Sequence, residues 1–159
     1  ARLLEEGVVG KMICSFPFAS ESHVFKELYA AGKVDLEVVP QGTMAERMRN
    51  AGAGLGGFLT PTGVGTEIAE GKPEFEIDGK TYILEKPLRG DFALIKALKA
   101  DKRGNLVFRK SARNFNPVMA MAAEFTIAEV AEEVEVGDLD PENIVTPSVY
   151  VDKYLVTGG

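Results

Sequence analysis

LEVVPQGTMAERM, residues 36–48, reads as a strand that leads through a turn into a helix. Leu36 to Val39 form the short, mostly apolar run that is typical of a strand. The turn PQGT ends at Thr43, which makes a T-x-x-E capping box with Glu46 three residues later. We therefore predict that a helix begins directly after this turn.

The preceding residues predict the same alternation. KMICSF, residues 11–16, is a compact apolar run bounded by Gly10 and Pro17, as expected for a strand that is covered on both faces. Residues 20–31 repeat apolar side chains at helical spacing, and Gly32 is placed to end that helix. Strands that alternate with helices indicate an α/β fold with a sheet that is at least partly parallel.

The following residues leave this alternation. AGAGLGGFLTPTGVGT, residues 51–66, contains six glycines and no charged residue, which excludes an ordinary helix. Next, FEI and KTYILE flank Asp78-Gly79, a dipeptide that readily adopts the positive φ angles of a hairpin turn. The predicted fold is thus a mostly parallel open α/β sheet, flanked by helices, with a β-hairpin excursion.

The remaining elements follow from shorter signals. Residues 92–98 are predicted to be a strand or a short helix, and the turn ADKRGN after them is predicted to form a hairpin with 106–108. A helix should follow, with Asn116 as its N-cap and Pro117 at its first position. The closing strands are predicted at 125–130 and 149–156. EEVEVGDLDPEN, residues 132–143, is acidic and is predicted to be a solvated connection.

Composition excludes several classes of function. The chain has 24 acidic and 18 basic residues and a formal net charge of -6, which argues against binding to nucleic acid or to a membrane surface. Its only cysteine, Cys14, cannot form an internal disulfide, and a buried reduced thiol in a cytoplasmic protein is the expectation. One domain is predicted from the length of 159 residues.

Two features are candidates for ligand contacts. Gln41 follows a predicted strand and precedes a helix, the position where open α/β sheets bind ligands, although it could equally be a turn residue bonded to local backbone. The glycines at 52–57 could let backbone N–H groups approach a phosphate, thioester or carboxylate, or could simply reverse the chain. Arg47 and Arg113 are possible anion contacts, whereas Arg49 is more typical of a paired surface arginine.

Other chemistries lack the necessary residues. The glycine stretch matches neither the G-x-G-x-x-G fingerprint nor the P-loop, so a nucleotide site is not predicted. His23, the only histidine, is expected on a helix surface and has no neighbours that would complete a metal site. Ser111 and Ser148 lie outside any nucleophile elbow. The glutamates at 124–135 indicate a solvated face.

Four motifs, read together, resemble one family. They are VPQGTMAERMRNAGAGLGGFLTPTGVGT (39–66), GDFALIKALKADKRGN (90–105), RKSARNFNP (109–117) and IVTPSVYVD (144–152). In this order they are similar to the α subunits of class I 3-oxoacid coenzyme A (CoA) transferases. The resemblance extends from about Lys11 to the end of the chain.

The resemblance implies a division of labour between two subunits. A glutamate of a β subunit would attack the acyl thioester and become a glutamyl thioester of CoA, so no catalytic residue is expected in this chain. The partner would be that β subunit, in an α2β2 or larger assembly. CoA would be a substrate that carries acyl groups, with succinate, acetate or a similar small acid as acceptor, and no permanently bound cofactor or metal is expected.

The resemblance also implies which residues line the cleft. Gln41 would face the acyl group, and Gly52, Gly54, Gly56, Gly57 and Phe58 would line the same cleft. Arg47, Arg113 and Asn114 are secondary candidates. Family members begin with a further strand and helix, so this chain is expected to be incomplete at its N-terminus. The alternatives are a truncated or regulatory chain that only docks with a β subunit, and a sugar-phosphate isomerase-like enzyme of related fold.

Overall fold

The computed structural model describes residues 2–17 and 23–158, which divide into two compact units. The first unit comprises residues 1–44 and 59–85, and the second comprises 45–58 and 86–159. Among the described residues, no helix has both the length and the apolarity needed to cross a membrane.

The first unit opens with the predicted β-α-β pattern. After a short helix, α1 (Arg2–Glu5), strand β1 (Lys11–Cys14) pairs in parallel with β2 (Asp35–Val38), and α2 (His23–Ala30) connects them. Phe25 of α2 is buried and stacks on Tyr29. The predicted residues 20–22 of this helix lie outside the described part of the chain. His23 is exposed as predicted, whereas Cys14 is only partly buried.

The predicted hairpin is confirmed. Strands β3 (Phe58–Thr60), β4 (Glu74–Ile77) and β5 (Lys80–Glu85) form a sheet in the order β3-β5-β4, with β4 and β5 antiparallel. Asp78 and Gly79 connect β4 to β5 with φ angles of 52° and 72°, the positive values that the dipeptide predicted.

Helix α3 (Gln41–Gly52) begins earlier than predicted. The Met44 N–H donates to the Pro40 carbonyl over 2.9 Å, so PQGT is not a separate turn and Gln41 is already helical. The predicted capping box is wrong because Thr43 lies inside the first turn and is buried, not at the helix boundary.

The second unit is built on a four-stranded sheet of order β7-β6-β8-β9. Strand β6 (Gly90–Asp101) is antiparallel to β7 (Leu106–Val107) and parallel to β8 (Ala123–Val134), which is parallel to β9 (Lys153–Val156). The run at 92–98 is therefore strand. The segment 149–156, predicted to be one strand, is a 3-10 turn (Ser148–Tyr150) followed by β9.

Small side chains form the core of the second unit. The buried cluster consists of Ala93, Ile95, Ala97 and Ala100 of β6, Ala128 and Val130 of the neighbouring β8, and Leu106, Phe108 and Ala120. Ala120 belongs to α4 (Asn116–Ala122). The prediction of Asn116 as N-cap is wrong, because Asn116 is the first helical residue and its side chain accepts from the Lys96 N–H and donates to the Ala112 carbonyl.

Candidate functional site

Gln41 lies just after the carboxyl end of β2, the second strand of the parallel pair in the first unit. The chain leaves β2 at Val38, the Val39 N–H donates to the Cys14 carbonyl of β1 over 3.0 Å, and α3 begins two residues later. Gln41 is exposed, and its side-chain amide makes no hydrogen bond to any residue of the described ranges. Both functions of the amide, donor and acceptor, are therefore available to a ligand.

The first turn of α3 adds positive potential beside this amide. The backbone N–H groups of Gln41, Gly42 and Thr43 precede the first intrahelical bond, so they carry the partial positive charge of a helix N-terminus. Gly42 has no atom within 4 Å of the position that a Cβ would occupy, so open space adjoins the backbone there. This corner can accept a carbonyl or carboxylate oxygen.

The glycine-rich segment, residues 52–57, follows the last turn of α3. Gly54 and Gly57 have φ angles of 70° and 144°, which favour glycine. Gly54 and Gly56 are exposed, whereas Phe58 is partly buried at the start of β3. Since α3 has Gln41 as its first residue and Gly52 as its last, the helix carries the two predicted features at opposite ends.

Gly52 has a packing role that the sequence did not indicate. A Cβ at Gly52 would lie 2.5 Å from the Met121 Cβ and 2.7 Å from the Met121 carbonyl oxygen. These separations are far below van der Waals contact, so only glycine fits. Gly52 thus brings the end of α3 directly against α4.

The two arginines of α3 act differently. The Arg47 Nε donates to the Lys86 carbonyl over 2.9 Å, and the Arg47 carbonyl accepts from the Leu88 N–H over 3.0 Å. Arg47 therefore fixes the segment that leads into β6, whatever else it contacts. Arg49 forms an exposed ion pair with Glu46 at 2.8 Å, as its sequence context predicted.

Arg113 and Asn114 are both exposed in the connection between β7 and α4. A 3-10 turn, Lys110–Arg113, starts this connection, and the Asn114 N–H donates to the Ser111 carbonyl. Neither side chain bonds to another described residue. Asn116 differs from them, because its two side-chain bonds tie β6 to this connection.

Three glutamates in or directly after β8 form ion pairs with lysines in or directly after β6. Lys96, Lys99 and Lys102 bind Glu129, Glu132 and Glu135, each thirty-three positions later, because β6 and β8 run in parallel register. Hydrogen bonds from Lys96 and Thr157 lower the pKa of Glu129. The region 132–143 is not only a connection, since β8 continues to Val134.

The sequence patterns did not predict two polar contacts of the second unit. Asp101 is buried and accepts from the Asn105 side chain and from the Arg103 and Asn105 N–H groups. Burial by itself would raise the pKa of Asp101, but these hydrogen bonds outweigh it and lower the pKa. The Tyr154 hydroxyl donates to Glu133 over 2.6 Å, which with burial raises the pKa of Tyr154 to about 12.

No metal centre is formed by the residues that the structure describes, since no three of their histidine, cysteine and carboxylate side chains cluster. A cavity of about 100 Å³ in the second unit has no polar side chain in its lining, which consists of Met48, Leu88, Gly90, Phe92, Ala93, Met119, Ala122 and Ala123. It offers nothing that could orient a carboxylate. The open corner at Gln41 is the better candidate for polar recognition.

Solved structures share this fold. Glutaconate coenzyme A-transferase from Acidaminococcus fermentans superposes with a TM-score of 0.81 over 96% of this chain and 57% of that chain, at 18% sequence identity. The α/β architecture is therefore that of CoA-transferases, and identity this low establishes the fold alone.

Sequence comparison establishes the family. The pattern of the coenzyme A transferase family matches residues 1–156. Similar proteins include the A-type subunit of 3-oxoadipate CoA-transferase from Acinetobacter baylyi, 62% identical over 95% of this chain and 66% of that protein. Another is the A-type subunit of the probable succinyl-CoA:3-ketoacid coenzyme A transferase from Bacillus subtilis, 52% identical over 98% of this chain and 64% of that protein.

The chain belongs to the coenzyme A transferase family, and within it to the group of A-type subunits. It spans about two thirds of the length of these relatives. The family and the α/β fold that the motifs indicated are thereby confirmed.

Proposed function

We propose that this chain is part of the A-type subunit of an enzyme that moves CoA between a 3-oxoacyl-CoA and a small carboxylic acid. The observation that carries the proposal is its similarity, over nearly its whole length, to transferase subunits whose names specify 3-oxoadipate or 3-ketoacids. The A-type designation of these relatives supports a separate, B-type polypeptide as partner. In this proposal the nucleophilic glutamate and its glutamyl-CoA thioester belong to that partner.

Gln41 would bind the acyl group during this exchange. Its exposed amide and the N-terminal N–H groups of α3 offer donors to an oxygen that becomes negatively charged as the thioester is attacked. The exposed glycines at 54 and 56 leave space for a ligand to approach the backbone. Gln41 is the proposed acyl contact, and the glycines at 54 and 56 are proposed separately as ligand contacts.

Two 3-oxoacids are candidate substrates. Acetoacetyl-CoA with succinate or acetate is the pair expected from the motifs, whereas the relative at 62% identity is named for 3-oxoadipate. 3-Oxoadipate carries a second carboxylate that acetoacetate lacks. A binding site for this second carboxylate would need an additional hydrogen-bond donor, which a backbone N–H group of the first turn of α3 could supply.

The test is an exchange assay on the full-length polypeptide co-purified with its partner subunit. We expect CoA transfer from succinyl-CoA or acetyl-CoA to acetoacetate or 3-oxoadipate, and no transfer by the isolated chain. Activity of the isolated chain would contradict the division of labour. No transfer to either 3-oxoacid by the pair would contradict the proposed substrate class.

Gln41→Ala tests the role of the amide. We expect kcat to fall about 100- to 1,000-fold, as for loss of one donor to a developing oxyanion, with an unchanged melting temperature. Gln41→Glu keeps the size of the side chain and removes the donor, so it should lose comparable activity. Glu70→Ala, an exposed change in the same unit, is the control. Wild-type kinetics of Gln41→Ala would exclude this side chain from the site.

A further inference from the structure

Positive charge is concentrated in one part of this acidic protein. Between Asp101 and Glu124 the sequence contains no carboxylate, but it contains five cationic residues: Lys102, Arg103, Arg109, Lys110 and Arg113. The chain as a whole has a net charge of -6. A cationic cluster of this kind attracts anions to one region of the surface.

Three of these residues form what we call the basic segment, residues 109–113. Arg109, Lys110 and Arg113 are exposed, and their side chains make no hydrogen bond or ion pair with any residue in 2–17 or 23–158. The lysines of β6 behave differently, since each binds a glutamate of β8. The basic segment is therefore the part of the second unit in which cations are clustered without counter-charges.

The backbone keeps the three cations close together. Arg109 is extended, and the 3-10 turn Lys110–Arg113 follows it directly. Lys110 has a φ angle of 54°, and the Ala112 N–H donates to the Arg109 carbonyl over 3.3 Å, so the chain turns tightly between Arg109 and Arg113. Three long cationic side chains can therefore converge on one phosphate or on two adjacent ones.

We propose that the basic segment binds the phosphate groups of CoA. This inference rests on the proposed function, because it takes CoA as the substrate, and it adds a subsite for the nucleotide end of that molecule. CoA carries a diphosphate and a 3′-phosphate, while the reacting thioester is at the other end of its pantetheine arm. Arginine suits this role because its planar guanidinium binds phosphate oxygens in pairs.

The test compares CoA with three shorter ligands: dephospho-CoA lacks the 3′-phosphate, 4′-phosphopantetheine keeps one phosphate but lacks the adenosine, and pantetheine lacks the whole nucleotide. Affinities of CoA, dephospho-CoA, 4′-phosphopantetheine and pantetheine are measured by titration calorimetry on the complex of the full-length polypeptide with its partner. For the double variant Arg109→Gln/Arg113→Gln we expect CoA to bind about tenfold more weakly and pantetheine to be unaffected. Loss confined to CoA assigns the 3′-phosphate. Equal loss for CoA and dephospho-CoA assigns the diphosphate if 4′-phosphopantetheine is also weakened, and an unaffected 4′-phosphopantetheine would indicate an adenosine contact and contradict the diphosphate assignment.

The control removes the same amount of charge elsewhere. Lys86→Gln/Arg89→Gln neutralises two exposed cations of the same unit outside the cationic run 102–113. Equal weakening of CoA binding by both double variants would reduce the effect to overall charge and overturn the proposal. So would an unchanged affinity of the first variant, or an equal loss for pantetheine.

A measurement on the wild-type complex avoids any question of misfolding. CoA should protect Lys110 from acetylation by an amine reagent, detected by mass spectrometry, and pantetheine should not. Equal labelling of Lys110 with and without CoA would contradict the proposal. The exchange assay tests the proposed function independently of the phosphate site. If CoA binds at the basic segment but the complex exchanges no acyl group, the proposed function is refuted and the phosphate site is still supported.

Discussion

Replacing Gly52 by alanine would place a methyl group inside the contact between α3 and α4. The new Cβ would lie 2.5 Å from the Met121 Cβ and 2.7 Å from the Met121 carbonyl oxygen, so the two segments must separate by about 1 Å to restore a normal contact of about 3.5 Å. Overpacking of this kind costs about 1 to 3 kcal/mol. Alanine in a helix offsets about 0.5 to 1 kcal/mol of that cost, because glycine is the poorer helix former.

Taken from the middle of both ranges, the expected net loss is about 1 kcal/mol, which corresponds to a decrease in Tm of about 2 to 4 °C. Differential scanning calorimetry of the purified protein measures it. Gly56→Ala is the matched control, since no atom lies within 4 Å of its Cβ position and its φ angle is not in the left-handed region. We expect that control to stay within about 0.5 kcal/mol of wild type. Equal stability of Gly52→Ala and wild type would refute the packing argument, and so would equal destabilisation by both variants.

Two further changes test polar contacts of the second unit. Asp101→Asn should destabilise the protein by about 1 to 2 kcal/mol at pH 7. Because folding lowers the pKa of Asp101, the stability that its carboxylate contributes is present above the unfolded pKa of about 3.9 and is lost as the pH falls through the lower folded pKa. The urea midpoints of the variant and the wild type should therefore converge in acid. A constant difference from pH 7 to pH 2 would contradict this. Tyr154→Phe should cost about 0.5 to 1 kcal/mol of stability. Folding raises the pKa of Tyr154 to about 12, so the stability that its hydroxyl contributes is complete below pH 10 and is lost as the pH rises towards 12. Spectrophotometric titration measures this pKa, and urea midpoints at pH 8 to 12 measure the loss of stability. A tyrosine titrating near pH 10 at this position would exclude the Glu133 bond.

Part of the candidate site could be predicted from local patterns, and part could not. Gln41 was expected at the carboxyl end of a strand and before a helix, and it lies between β2 and the rest of α3. The positive φ angles of Gly54 and Gly57 agree with the composition of their segment. The need for glycine at 52 was not predictable, because it arises from Met121, a residue far away in the sequence.

Elements whose signals lie within a few residues could be predicted from the amino-acid sequence. These are the β-α-β start, the hairpin at Asp78-Gly79 and the turn that begins at Asp101, since backbone preferences and short-range hydrogen bonds act locally. Family membership was also readable, because four motifs kept their order.

Which side chains have partners depends on the tertiary fold. The parallel register of β6 and β8 sets Lys96 opposite Glu129, so the acidic face, which is solvated as predicted, also carries ion pairs. Within the described part of the chain, the same folding leaves the basic segment exposed and without counter-charges. Spatial neighbours far apart in the chain depend on strand pairing and helix packing, and no local pattern encodes those contacts.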